Sequence, residues 1–349
     1  MSSPFDPTNP PPPDATLDVR GELPLGLSGR LVGIGPDGQV RSFHFNMGRV
    51  SHLVRSIGLA ASVNDLVAFD GSVLTYGDDS SVRQLSLQAG TLPRVDLAGH
   101  RRTVASCPMY DAASGELHLV AVDWGGTQLH VVVPAGALTR RSRLIADTRV
   151  RIRGLAVGSD HVVFVADSLV GVAPRDGDVR AHWTPTDSIA PRPVHTHRTS
   201  DTVVLVALTP SLERWTLHSD GRSIERDVLD PRPRRFAHTS SGGAVDGTPG
   251  FVWSTGGETI GQHDLVKSRS THLDLAPNAP GDFVVVPDPA RSASNAGWFV
   301  GFVRHASGGD TDLVVIDTSD LAGAVLATIH IPRPNPHGLR CTWLPATPQ

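Results

Sequence analysis

Histidine is the residue type in this sequence with the greatest chemical potential. The chain carries 16 histidines, and His195, His197 and His337 lie beside proline-containing segments that are typical of loops. Imidazole is the commonest metal ligand, so the His195-x-His197 pair is a candidate for metal binding. Because the two residues alternate, they would share one face of a strand. Such pairs are more often hydrogen-bonded or solvated than metallated, and this pair alone is interpreted as structural.

The common catalytic and cofactor motifs are absent from the sequence. It has no phosphate-binding lysine loop, no G-x-G-x-x-G, no H-E-x-x-H and no C-x-x-C. Two cysteines, Cys107 and Cys341, are too few for a disulfide framework. With 31 basic and 35 acidic residues, the chain has no strong field for nucleic acid or an anionic membrane.

A small basic cluster stands out against this balanced charge. It comprises Arg232, Arg234, Arg235, Lys267 and Arg269. Acidic residues interrupt the same neighbourhood in sequence. The cluster is therefore interpreted as a solvated face.

The N-terminal segment is polar and proline-rich, with four consecutive prolines from Pro10 to Pro13. It lacks the basic and then apolar character of a secretory signal, which indicates a cytoplasmic protein. No run approaches the roughly 18 apolar residues of a transmembrane segment, although peripheral membrane contact through loops stays open. We expect residues 1–16 to form a disordered proline-rich arm and residues 17–349 to form a single domain.

Beyond the arm, short β-rich runs alternate with turn residues, and long amphipathic helices are absent. The runs include Arg30 to Ile34, Leu66 to Phe69, Leu117 to Val122, His161 to Val165, Thr202 to Leu208 and Asp312 to Asp317. Turn pairs such as Asp70-Gly71 separate them. More than a dozen such strands exceed one sandwich, and they favour an all-β propeller of four-stranded blades. Two sandwiches are the alternative.

The C-terminal third carries four segments in a fixed order: Gly281 to Pro287, Gly297 to Val300, Asp312 to Asp317 and Gly338 to Trp343. They resemble the G-E-x-x-F-V-P, D-G-W-L, L-x-V-L-D-A and G-F-H-G-T-W segments at the end of the carotenoid cleavage oxygenases, a family that includes the retinal pigment epithelial membrane protein and lignostilbene dioxygenases. Near the N-terminus, Gly21 to Gly29 and Gly35-Pro36 are similar to the start of the family. The resemblance spans about Gly21 to Pro345 and implies a seven-bladed β-propeller with shortened loops.

Members of that family hold Fe(2+) on the propeller axis with four histidines and use O2 to split a double bond of an apolar polyene or stilbene. By the resemblance, the four ligand positions fall on Cys107, Arg153, His195 and Arg340. Arginine is a permanent cation without a lone pair, so Arg153 and Arg340 cannot ligate iron. The resemblance therefore implies a degenerate iron site that keeps one histidine.

The carboxylates that orient the family's histidines are also changed. Their positions fall on Gly77 or Asp78, on Asp201 and near Arg235. Outer carboxylates tune a metal through its ligands, so their loss agrees with the loss of the ligands.

The first hypothesis is a non-catalytic propeller, a pseudoenzyme. Its former iron pocket, lined by Arg153, His195 and Arg340, would be structural or would bind a small apolar or anionic ligand such as a carboxylate. Two guanidinium groups ~4 to 6 Å apart repel each other by a few kcal/mol at an effective dielectric constant near 20. They therefore need an anion, a carboxylate or water between them.

Two alternatives stay open. In the second hypothesis, Cys107, His195, His197 and His337 offer a mixed sulfur and nitrogen ligand set for zinc or iron in a dioxygenase with an altered site. In the third, Cys107 and Cys341 pair as a disulfide or redox couple, which requires Cα atoms within about 7 Å. A reducing cytosol argues against a permanent bond.

Overall fold

A computed structural model gives the fold of the chain. It describes residues 15–35, 38–57, 63–77, 79–86, 93–99, 102–104, 108–136, 140–146, 150–177, 180–187, 191–199, 202–218, 223–239, 244–245, 248–291, 295–308, 311–321, 323, 325–331 and 339–346. These residues contain β-strands and no helix.

The strands, numbered in chain order, build seven antiparallel blades, of which four come from the N-terminal half and the extreme C-terminus. Blade 1 contains β1 (Ala15–Thr16), β3 (Gly29–Ile34), β4 (Gln39–Asn46), β5 (Arg49–Ser56) and β32 (Arg340–Pro345). Blade 2 contains β6 (Val63–Phe69), β7 (Ser72–Gly77) and β8 (Val82–Leu85). Blade 3 contains β9 (Thr103–Val104), β10 (Met109–Asp111), β11 (Glu116–Val122), β12 (Gln128–Pro134) and β13 (Arg141–Ala146). Blade 4 contains β14 (Ile152–Val157), β15 (His161–Ala166), β16 (Leu169–Pro174) and β17 (His182–Pro185).

The remaining three blades follow in the C-terminal half. Blade 5 contains β18 (Arg192–Arg198), β19 (Thr202–Leu208), β20 (Leu212–His218) and β21 (Ile224–Asp230). Blade 6 contains β22 (Phe236–Thr239), β25 (Phe251–Gly256), β26 (Thr259–Asp264) and β27 (Arg269–Asp274). Blade 7 contains β2 (Val19–Gly21), β28 (Ala279–Pro287), β29 (Gly297–Arg304), β30 (Thr311–Asp317) and β31 (Val325–Ile331). The strands β23 (Ala244–Val245) and β24 (Thr248–Pro249) form a separate short pair.

The blades form one closed ring, which confirms the seven-bladed propeller and makes the two-sandwich alternative wrong. The innermost strands pack against one another in the cyclic order β32, β6, β10, β14, β18, β22, β28 and back to β32. Two sandwiches would instead pack sheets face to face in separate pairs. A ring covers both faces of every blade with its neighbours and leaves only short edges.

Both ends of the chain close the ring. The C-terminal strand β32 pairs with β3, so that Arg340 lies opposite Ile34 and Pro345 lies opposite Gly29. At the other end of the chain, β2 pairs with β31 on the outer edge of blade 7. The N-terminal segment therefore contributes to two neighbouring blades, and the closure places the C-terminal strand on the propeller axis.

The second strand of a blade is covered by neighbouring blades on both faces, which explains its apolar sequence. Every residue of β15 is buried, and β19 is buried from Val203 to Leu208. Burying one such aliphatic side chain stabilises the fold by about 1.5–3 kcal/mol. Between β6 and β7, Asp70 and Gly71 both have positive φ, 49° and 69°, which is the geometry of the expected tight hairpin.

The predicted N-terminal arm lies outside the described residues up to residue 14. Its last two residues, Ala15–Thr16, form β1 and pair with His52 and Ser51 of β5. Within the described part of the chain, no helix could span a membrane.

Candidate axial site

The innermost strands all run in the same direction along the propeller axis, because each blade is built from the axis outwards in up-and-down order. We call the end at which these strands begin the upper end of the axis and the opposite end the lower end. Arg192 begins β18 and Arg340 begins β32. Asp65 and Asp282 follow a few residues into β6 and β28. These four charged residues therefore belong to the upper part of the axis.

An ion pair crosses the axis near its upper end. Nη2 of Arg192 lies 2.8 Å from Oδ2 of Asp65. Arg192 belongs to blade 5 and Asp65 to blade 2, which are three blades apart in a ring of seven. The two side chains are 38% and 21% exposed, so the pair is accessible to solvent near the upper end. An extended ligand threaded along the axis would have to displace it.

A buried carboxylate, that of Asp282, links three innermost strands. Its Oδ2 accepts the backbone N–H of Cys341 at 3.0 Å, and its Oδ1 lies 3.2 Å from Nε2 of His238 and accepts the N–H of Phe283. Burial by itself would raise the pKa of Asp282. The hydrogen bond with His238, the charges of His238 and Arg340, and the Cys341 N–H together hold that pKa below its usual value.

The guanidinium of Arg340 is incompletely paired. Its central carbon lies 4.8 Å from the ring centroid of Phe236, which is a cation–π arrangement. Its Nη1 is buried and has no hydrogen-bond partner among the described residues. A buried N–H without a partner costs about 1–3 kcal/mol, and more when the group is charged. The upper axis therefore presents the aromatic surface of Phe236 and a buried cationic donor, Nη1 of Arg340, without a partner among the described residues.

His195 lies deeper along β18, on the face of blade 5 that turns toward blade 6. Its ring stacks on that of His197 with centroids 5.7 Å apart, and its buried Nε2 has no hydrogen-bond partner among the described residues. Burial, followed by the proximity of His197 and His161, lowers the pKa of His195 to about 3. The imidazole is therefore neutral at physiological pH, with one ring nitrogen available.

Comparisons with known proteins agree with this architecture. Residues 227–345 match the family model described as retinal pigment epithelial membrane protein. A carotenoid cleavage oxygenase of Mycobacterium tuberculosis is 30% identical over 155 residues, which are 40% of this chain and 30% of that relative. Among solved structures, a variant of Synechocystis apocarotenoid oxygenase has a TM-score of 0.80 at 15% identity, covering 96% of this chain and 97% of the other. Pseudomonas brassicacearum lignostilbene dioxygenase has a TM-score of 0.81 at 17% identity, covering 97% of both chains.

Residues 227–345 of this chain are therefore similar in sequence to the carotenoid oxygenase family, and the chain shares the fold of the two solved oxygenases. The likeness to the two solved structures concerns the fold, since their sequences are so distant. The region in common with the curated relative spans 30% of that protein's length.

The four positions that the resemblance equates with the family's iron ligands have different surroundings. Arg340 lies on the innermost strand β32, and His195 lies on the innermost strand β18. Arg153, by contrast, is 41% exposed, and its Nε lies 2.8 Å from Oδ1 of Asp167 in a surface ion pair. Cys107 lies outside the described residues.

The alternative ligands proposed from the sequence are also dispersed. His197 stacks on His195 but lines a cavity at the lower end of blade 5. Cys341 packs in the core shared by blades 1 and 7, and burial, followed by the carboxylates of Asp282 and Asp65, raises the pKa of its thiol well above the usual value. His337 lies outside the described residues, so both the mixed ligand set and the cysteine pair stay predictions.

The positions assigned to the family's outer carboxylates hold no described carboxylate. Gly77 ends β7, and Arg235 is exposed and donates its backbone N–H to Thr255. Asp78 and Asp201 lie outside the described residues.

A different group of residues has the spacing of a metal site. Within the described part of the chain, Asp230, His263 and His272 are the one set of three whose ligand atoms all lie within 4.8 Å of one another. They belong to blades 5 and 6, away from the innermost strands. Oδ2 of Asp230 lies 3.0 Å from Nε2 of His272 and also accepts Nε of Arg234 at 2.8 Å. Arg234 donates a second nitrogen, Nη2, to the same oxygen.

The partners of this group do not fit a metal ion. A ligated cation would share the oxygen of Asp230 with a fully buried guanidinium, which would repel it. Both ring nitrogens of His263 are already within hydrogen-bonding distance of serines, Ser254 at 2.7 Å and Ser270 at 2.8 Å. The interpretation of Arg234 as part of a solvated basic face is wrong, because its side chain is buried in this ion pair.

The family's iron(II) finds no matching donor set among the described residues. His195 supplies one free ring nitrogen, but it belongs to no group of three histidines, cysteines or carboxylates within the described part of the chain. The side chain of Arg340, at a ligand position, has no lone pair to give. These residues therefore do not fit the family's four-histidine site.

Sequence reasoning missed four residues of the axial site: Asp65, Arg192, His238 and Asp282. One signal was available for Asp282, because Gly281-Asp282 stands where the related segment carries a glycine and a glutamate. The pairing of Asp65 with Arg192 had no local signal, since the two residues are 127 positions apart.

Proposed function

We propose that this protein is a non-catalytic relative of the carotenoid cleavage oxygenases that binds a small carboxylate with an apolar body at the upper end of its axis. The buried, unpaired Nη1 of Arg340 carries the proposal. A ligand carboxylate would satisfy this donor through a charge-assisted hydrogen bond. The Phe236 ring against the same guanidinium would contact the apolar body of the ligand.

The neighbouring charges support a directed contact rather than a general attraction for anions. Arg192 is paired with Asp65, and the carboxylate of Asp282 is already bonded to His238 and to Cys341 N–H. Two arginines and two aspartates leave no excess charge at the axis. Selection of a carboxylate therefore rests on the guanidinium of Arg340, whose buried Nη1 is unpaired among the described residues.

The ion pair between Arg192 and Asp65 favours a small ligand. It spans the channel between opposite blades at 2.8 Å, where an extended polyene would have to pass. Because its side chains are partly exposed, the pair restricts the ligand mainly by occupying the axis.

The proposal is tested by thermal unfolding in the presence of phenylacetate, with phenylacetamide as the uncharged counterpart. A ligand that binds only the folded state raises Tm in a concentration-dependent manner. We expect phenylacetate to raise Tm and phenylacetamide to have little effect. Arg340→Met should abolish the shift, and the matched control Arg153→Met, which removes an exposed arginine, should keep it.

An equal Tm shift in Arg340→Met and in the unaltered protein would overturn the proposal.

A second candidate, a metal-dependent dioxygenase with an altered ligand set, has one supporting observation, the free Nε2 of His195. Elemental analysis after anaerobic loading with iron(II) separates the two. Stoichiometric iron that is lost in His195→Ala, together with O2 consumption on a stilbene, would favour the dioxygenase.

A further inference from the structure

A cavity of about 450 Å³ lies at the lower end of the propeller, on the face of blade 5 that turns toward blade 6. Its wall includes the end of β18, the beginning of β19 and the middle of β20, together with Leu265 of blade 6. The volume is within the roughly 300–1,000 Å³ of small-molecule sites. The cavity lies away from Arg340 and from the upper part of the axis.

The strand register places the polar wall of this cavity on one sheet face. His197 pairs with Val204, Val204 with Thr216, and Thr216 with Glu225, so these residues form one cross-strand row. Directly paired residues point to the same side of the sheet. Along the row, the imidazole of His197 is followed by the isopropyl group of Val204, the hydroxyl group of Thr216 and the carboxylate of Glu225.

His197 is the least satisfied group of this wall. It is only 8% exposed, and its Nδ1 has no hydrogen-bond partner among the described residues. Burial lowers the pKa of His197 to about 4, so that the ring is neutral at physiological pH. A neutral ring nitrogen can donate or accept one hydrogen bond, depending on its tautomer. Buried polar groups are rarely left unpaired, and this one borders a cavity.

The charged side chains that line the cavity are two arginines, Arg214 and Arg226, and two acidic residues, Glu225 and Asp227. Arg214 is paired with Asp227, and Arg226 is paired with Asp187. The cavity therefore has no excess charge to select an ion. What remains for a ligand is the His197 ring, the hydroxyl group of Thr216 and the apolar surfaces of Val204 and Leu265. The hydroxyl groups of Thr199 and Thr202 lie 2.6 Å apart and are already hydrogen-bonded to each other.

We propose that this lower cavity is a second binding site, for a neutral hydroxyl-rich molecule of the size of a monosaccharide or disaccharide. Hydroxyl groups donate and accept hydrogen bonds as threonine and imidazole side chains require. The C–H face of a sugar ring would pack on Val204 and Leu265. This site is independent of the carboxylate site proposed at the upper axis.

The test is isothermal titration calorimetry with D-glucose and trehalose, with glucuronate and glucosamine as charged counterparts. We expect saturable binding of a neutral sugar at one site per chain and at least about tenfold weaker binding of the charged ones. Thr216→Val removes one hydroxyl at constant shape and should weaken binding roughly three- to tenfold. Thr328→Val, at a half-buried threonine of β31 in blade 7, is the matched control and should leave affinity unchanged.

Nuclear magnetic resonance of the histidine ring nitrogens provides a second readout. Bound sugar should shift the His197 signals, and His197→Phe should eliminate binding while the Tm of the variant reports its folding. Tighter binding of glucosamine than of the neutral sugars would overturn the proposal, and so would tighter binding of glucuronate to Arg340→Met, which lacks the upper carboxylate site. The absence of saturable binding by both neutral sugars, or an unchanged affinity in Thr216→Val, would also overturn it.

Discussion

Two clusters in this propeller bury a carboxylate beside an arginine, and they differ in how fully the arginine is paired. Between blades 5 and 6, Arg234 donates Nε and Nη2 to Asp230 and Nη1 to Thr259. At the axis, Arg340 stacks on Phe236 and leaves Nη1 without a partner among the described residues, while Asp282 is bonded to other groups. The first cluster is saturated, and the second is not.

This difference separates a structural network from a binding site. A saturated buried network holds neighbouring elements in one arrangement and offers nothing to a ligand. A buried cation with an unused N–H keeps a desolvation cost that a ligand can remove. Both clusters contain histidine and carboxylate, so residue type alone would not distinguish them.

The largest loss of folding stability is expected from a change in the saturated network around Asp230. Arg234→Met should lower the free energy of unfolding by about 3–5 kcal/mol, because it leaves the Asp230 carboxylate buried without its cation. Urea-induced unfolding measures the change. Arg94→Met is the matched control: Arg94 is 69% exposed beside Asp79, and its loss should cost at most about 1 kcal/mol. An equal loss in the free energy of unfolding in the two variants would contradict the distinction between a saturated buried network and an exposed ion pair.

An intermediate loss of folding stability is expected from a change at Asp282, on the axis. Asp282→Asn should cost about 1–3 kcal/mol at pH 7, since the amide lacks the charge that His238 and Arg340 stabilise. The pKa of Asp282 is held below its ordinary value, so the unfolded chain binds the proton first as pH falls. The stability that this carboxylate supplies is complete above about pH 4 and is lost as pH falls through the folded-state value.

Unfolding of Asp282→Asn and of the unaltered protein should therefore be compared at pH 7 and at successively lower pH. The gap between them should narrow below about pH 4. A gap that stays constant at all values of pH would show that the charge of Asp282 does not matter.

The smallest loss of folding stability is expected at Arg153. Like Arg340, this residue falls on a position that the resemblance equates with an iron ligand, but it is exposed. Arg153→Met should change the free energy of unfolding by no more than about 1 kcal/mol, because its ion pair with Asp167 is solvated on both sides. Chemical denaturation provides the measurement. A loss above about 2 kcal/mol would mean that Arg153 is buried toward the axis, as the family resemblance first implied.

The strand content of this chain could be predicted with local patterns. Thr202–Leu208 is a strand with the bounds that its apolar run indicates, and Asp70-Gly71 forms the expected tight turn. Local charge patterns were less informative. Arg234 lies in a cluster that the sequence indicates to be a solvated face. It follows Asp230 by four positions, and the turn between them brings the pair into the contact of two blades.

The family resemblance placed Arg153 and Arg340 at equivalent positions on the axis. It could not determine their surroundings, because an alignment fixes a position along a strand but not the direction of an altered side chain. A long, charged side chain turns toward its nearest partner or toward water. For Arg153 that partner is Asp167, and for Arg340 the neighbouring surface is Phe236.

The sequence by itself determined that this protein is an all-β propeller, and it predicted the resemblance to the carotenoid cleavage oxygenases that the C-terminal third bears. Apolar alternation and turn residues act over a few positions, so they can be read locally. Only the tertiary structure decided which polar groups meet. Arg192 and Asp65 are 127 positions apart, and closure of the ring brings them to 2.8 Å. Such contacts depend on the order and packing of whole blades, which no local pattern records.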